Sequence, residues 1–223
     1  MQLTSQWSGR LRAAHFGAAH RRVSNHMHTI SEAKFLEATA ELGIVLDDRF
    51  PHSRSLIFSQ NPDVDRFWLV PREPERRPAF IDSILELMGD WSSCYAWRHK
   101  GEWPAGCDPL RTNDVIEFEI LSGLGMPRGT TDAVEFNRSE VSKLIVLVFS
   151  TTIFGWSVHE DLHIVPNHGR FFAQTDHHNV IHVSFRNASD CLQFVNDMEI
   201  YGFPLPTELP DATFGRPKWM PGV

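Results

Sequence analysis

Cysteine is rare in this 223-residue chain: Cys94, Cys107 and Cys191 are odd in number, far apart and without any C-x-x-C spacing. That excludes a disulfide framework, fits a reducing and therefore cytoplasmic compartment, and leaves the thiols to behave as small buried hydrophobes. Long apolar runs are lacking too. The longest, Leu144 to Phe149, falls far short of the roughly eighteen residues a membrane span needs, so no membrane association is expected. Positive charge is in deficit: the formal net charge is −7, and a surface that neutralises nucleic-acid phosphates needs clustered Lys and Arg. No nucleic acid is expected, and an acidic surface favours a basic protein partner. Nucleotide and nucleophile signatures are missing as well, with no P-loop and no nucleophile elbow. The pair Gly123 and Gly125 lacks the third glycine and the following helix N-terminus of a dinucleotide fingerprint.

What is present suits an ordinary globular core: 42% of the residues are hydrophobic, and the length accommodates one substantial domain without staples. Residues 1–26 differ from the rest. They carry Arg10, Arg12, Arg21 and Arg22, three histidines and no acid, so removing their +4 takes the net charge from −7 to −11. They read as a basic N-terminal extension, ahead of a single domain over 27–223 that divides into possible sub-halves 27–112 and 113–223.

Within the domain, Thr29-Ile30-Ser31-Glu32 has the form of a capping box, and Phe35, Leu36, Thr39 and Leu42 follow at helical spacing before Gly43. Short strands are expected at 44–46, 55–59 and 66–70, then a helix from Pro78 whose buried stripe is Ile81, Ile84, Leu85 and Met88. SCYAWR, residues 93–98, reads as a strand. Residues 99–113 form a long irregular loop in which Trp103 is the obvious contact candidate. Val115 to Leu121 fits strand and helix equally. Ser139 can cap a helix over 140–150, and Asn187 to Ser189 opens a last helix with Leu192, Val195 and Met198 inward. Five prolines punctuate the tail from Phe203. The fold class is therefore α+β: a mostly antiparallel sheet with helices packed on one face, and a C-terminal β-meander followed by a helix and a Pro-rich tail.

The densest signal lies at 153–185, which holds six of the twelve histidines. His159-Glu160-Asp161-Leu162-His163 matches the zinc-peptidase pattern H-E-x-x-H, whose chemistry requires a helix: positions i and i+4 aim two imidazoles at one ion while the Glu activates its water. The flanks oppose a helix. Ile153 to Val158 is β-branched and aromatic with Gly155 inside, and Pro166 presses Val165 toward an extended backbone. With period two, the stretch reads as strand, acidic corner at Glu160-Asp161, and strand again. Further on, Asp176-His177-His178-Asn179 has turn chemistry, and Val180, His182 and Ser184 share one strand face opposite Ile181, Val183 and Phe185.

Two functions follow from these features. The first is a non-catalytic acidic binding protein that engages a basic protein partner, in the manner of a bacterial toxin-neutralising immunity protein, with Glu160, Asp161, Asp176, His177 and Trp103 as contacts and no cofactor. The second is a zinc-dependent hydrolase with His159 and His163 as ligands, Glu160 as general base, and His178, His168 or His182 as third ligand. A pH-responsive module is a third expectation, because twelve histidines titrate near neutrality.

Overall fold

The computed structural model describes residues 27–47, 55–60, 64–98, 102–110, 112–154 and 161–207. The basic extension, His159, Glu160 and the tail beyond residue 207 lie outside them.

Alternating apolar residues build the strands β1 (His28–Ile30), β2 (Ile44–Leu46), β3 (Leu56–Phe58), β4 (Asp65–Leu69), β5 (Ser93–Arg98), β6 (Ala133–Asn137), β7 (Leu162–Pro166), β8 (Phe171–Asp176) and β9 (Val180–Phe185). Seven of them pair antiparallel in the order β1-β6-β5-β7-β8-β9-β4, while β2 and β3 form a separate hairpin. Strands from both sides of residue 112 thus share one sheet, with β6 between β1 and β5, and β4 on the edge beside β9.

The helices are α1 (Glu32–Glu41), α2 (Arg77–Leu87), α3 (Thr112–Leu124), α4 (Val141–Phe154) and α5 (Ala188–Ile200). Ser31 caps α1, accepting from the Lys34 amide; Thr29 lies in β1, so the expected four-residue box shortens to a single cap. A capping box does form ahead of α4, between Asn137 and Glu140 through a 3-10 turn rather than at Ser139. Asn187 caps α5 by accepting from the Asp190 amide.

The pleat sorts the sheet into two faces. Leu162 and Ile164 of β7, Phe171 and Ala173 of β8, and Ile181, Val183 and Phe185 of β9 join the larger core, under α2, α3, α4 and α5. The α+β antiparallel architecture is thus the one expected, with its β7-β8-β9 meander leading into α5. The exception is α1. With the β2-β3 hairpin it packs on the opposite face, where Phe35, Ile44, Leu56 and Phe58 meet Trp97, Val165 and Phe172. The α5 stripe is rotated from expectation: Cys191, Phe194 and Met198 point inward while Leu192 is outside.

Candidate binding site at the histidine-bearing sheet face

Strand register lays one row of side chains across five strands. Trp97 of β5 pairs with His163 of β7, His163 with Gln174 of β8, Gln174 with His182 of β9, and His182 with Phe67 of β4. The row runs from dry to wet. At its inner end His163 is fully buried, its ring 5.5 Å from that of Trp97, which lies 5.3 Å from Phe35 of α1. At its outer end His182 is half-buried beside Phe67.

This placement decides the backbone question posed by the H-E-x-x-H match. Leu162 and His163 belong to β7, so the helix that would aim residues 159 and 163 at one ion is not formed at its C-terminal end. The extended reading holds over 162–166, and the ligand set His159, His163 and His178 loses its geometric basis, since His163 is turned into the α1 layer. His168 sits in the β7-β8 turn, with Nε2 2.6 Å from the Met88 carbonyl.

At the other end of β8, the turn residues form a network. Asp176 and Val180 are paired, and the three-residue loop between them closes with Asn179 in the left-handed region at φ 60°. The Asn179 amide donates to the Asp176 carbonyl and the Val70 amide to the Asn179 carbonyl, which pins the turn to the segment after β4. Asp176 Oδ1 accepts from the His178 backbone amide and lies 2.7 Å from His178 Nδ1. The His177 and His178 ring centroids lie 4.0 Å apart with the planes tilted by 42°. Asp161, 3% exposed, accepts from the His177 amide at 2.8 Å and lies 3.3 Å from its ring Nδ1. His182 stands between two carboxylates, with Nδ1 3.5 Å from Asp65 and Nε2 3.6 Å from Asp176.

These contacts set the charges. Burial works against ionisation of His182, but hydrogen bonds to Asp176 and Asp65 outweigh it and raise its pKa to about 9, so the ring is an imidazolium at neutral pH. Burial likewise opposes the Asp176 carboxylate; hydrogen bonds from His182 and His178 hold it well below the usual carboxylate range.

The structure therefore gathers Asp161, Asp176, His177 and His178, four residues singled out in sequence, and adds His182 and Asp65. It also shows that Asp161 is interior, committed to His177 rather than presented to a partner. Trp103 is corrected too: it is fully buried, with its indole N–H donating to the Asp132 carbonyl at 2.7 Å and the Arg98 guanidinium 5.4 Å above its ring. As for metals, Asp176, His177 and His178 each offer a ligand atom within 4.8 Å of the others.

A second surface was not visible in the sequence. The outer sides of α2 and α5 present Asp82, Glu86 and Glu199 to solvent, with Asp197 half-buried among them and Leu192, Ile200 and Tyr201 exposed. Partial desolvation, then the charge of Glu86 and a hydrogen bond to it, then the charges of Asp197 and Asp82, raise the pKa of the Tyr201 phenol. None of the four acids has an ion pair among the described residues. No helix of the described residues is long and apolar enough to cross a membrane. Comparison with known proteins supplies no relative: no family model, curated protein or solved structure matches the chain.

Proposed function

We propose that the chain is a non-catalytic binding protein that engages a basic protein partner through the α2-α5 crest, the role an immunity protein plays toward a toxin. The observation that carries this reading is the solvent exposure of Asp82, Glu86 and Glu199 on the outer sides of α2 and α5, with no ion pair to any of them among the described residues, on the same two helices as the exposed Leu192 and Ile200 side chains. Apolar anchors ringed by charge of one sign bind a surface of the opposite sign: the anchors contribute affinity, and the charges speed encounter and reject acidic competitors. The acids of the β8-β9 turn suit this role less well, because Asp161 and Asp176 already face histidines.

Cross-linking in cells that express the chain, followed by mass spectrometry, tests the proposal. The expected product joins α2 or α5 to a protein of high isoelectric point. With that partner in hand, the D82K/E86K/D197K variant should lose at least about tenfold in association rate, and the loss should shrink as salt is raised. Cross-links that avoid both helices, or a partner that is itself acidic, would refute it.

A further inference from the structure

We propose that the β8-β9 turn is a binding site for a borderline divalent metal ion, Zn²⁺ being the probe of choice, with Asp176, His177 and His178 as ligands. Two imidazoles and one carboxylate form a donor set suited to Zn²⁺ and its neighbours, and they leave a fourth position open to water. This set shares only His178 with the ligands the H-E-x-x-H pattern suggests, and it does not depend on the partner surface of α2 and α5.

Three features of the turn go beyond the proximity of the ligands. The first is Asp161. A buried carboxylate at 3.3 Å from His177 Nδ1 gives that ring a fixed partner, the arrangement by which outer carboxylates orient metal-bound histidines. The second is His182, whose Nε2 lies 3.6 Å from Asp176 Oδ2 and backs that carboxylate. The third is the backbone. Left-handed Asn179 and the amide bonds to Asp176 and Asn179 fix the loop, while the His177 and His178 side chains stay 25% and 45% exposed, so an ion has a path in. Bonds of about 2.0–2.1 Å to one ion put tetrahedral ligand atoms roughly 3.4 Å apart. The present ligand atoms, all within 4.8 Å of one another, need to draw together by at most about 1.4 Å to reach that spacing.

The test is calorimetric titration of the full chain, stripped with chelator, with Zn²⁺ at about pH 7.5, where unperturbed imidazole is neutral. One equivalent is expected to bind, and to bind at least 100-fold more weakly in H177Q/H178Q. D161N should cost about 10- to 100-fold through loss of ring orientation. H159A and the crest variant D82K/E86K/D197K should bind as the parent does, which separates this site from the pentapeptide and from the partner surface. Glutamine keeps the turn polar and ligates poorly, so circular dichroism of metal-free H177Q/H178Q should match the parent. Unchanged affinity in H177Q/H178Q, or loss of the equivalent in H159A, would overturn the assignment.

Discussion

The ion pair between Arg98 and Glu117 offers the sharpest test of the core's electrostatics. Arg98 closes β5, and its Nη2 lies 2.5 Å from Oε1 of Glu117 on α3, with only 5% and 9% of the two side chains exposed. Removing Glu117 strands the Arg98 guanidinium charge in the interior, at a cost of about 3–5 kcal/mol; removing both for apolar groups of similar volume is neutral or stabilising. In a chain of this length each kcal/mol moves the melting temperature by about 2–4 °C. E117L should therefore melt about 6–20 °C below the parent, while R98M/E117L returns to the parent value or above it. Thermal unfolding followed by circular dichroism, with urea titration for the free energies, measures both variants. An E117L variant that costs under about 1 kcal/mol, or a double variant that costs more than E117L alone, would show that the pair is not desolvated and refute the reasoning.

Two further outcomes follow from the fold. His182 is charged well above the unfolded range, so its stabilising contribution is complete below about pH 6.5 and is lost as pH rises through about 9. With 35% of the side chain exposed, the full shift is discounted to about 1–2 kcal/mol. In metal-free protein, H182Q should be less stable than the parent at pH 6 and indistinguishable near pH 10, and a gap that widens with pH would contradict this sign. Gly169, at φ +61°, holds a backbone conformation that L side chains rarely adopt, and a Cβ there would lie 3.0 Å from Leu42 Cβ and 3.1 Å from its Cδ2, tighter than ordinary contact. G169A should cost about 2 kcal/mol or more by urea denaturation, whereas G106A, with nothing within 4 Å, serves as the unaffected control.

Much of the architecture was legible because local signals agreed with the fold. The alternation in Val180 to Phe185, the run SCYAWR and the helix after Pro78 each carried their own burial pattern. What escaped was decided by contacts between distant segments. β1 has three residues and pairs with β6, about a hundred residues further along the chain, so nothing local announces it. Leu192 would serve as a core residue, but the larger Phe194 takes the inward position and rotates α5 so that Leu192 faces solvent. Trp103 looked like a loop contact until the Asp132 carbonyl satisfied its one donor, which allows an indole to be buried cheaply. Asp65 could not be joined to the histidine cluster from sequence, since its place there depends on β4 pairing with β9. The extended backbone at His163 was legible, because Pro166 and the β-branched neighbours act within a few residues.

The pairing of Leu69 with Val180 also governs how the molecule is made. A ribosome finishes β4 long before it reaches β9, and at about 5–20 residues per second the early strand waits several seconds or more for the strand it pairs with. During that interval the nascent chain carries Phe67, Trp68 and Leu69 with an unmatched row of amides, the kind of segment that chaperones recognise. Arg66, at the start of the strand, supplies one charge against premature association.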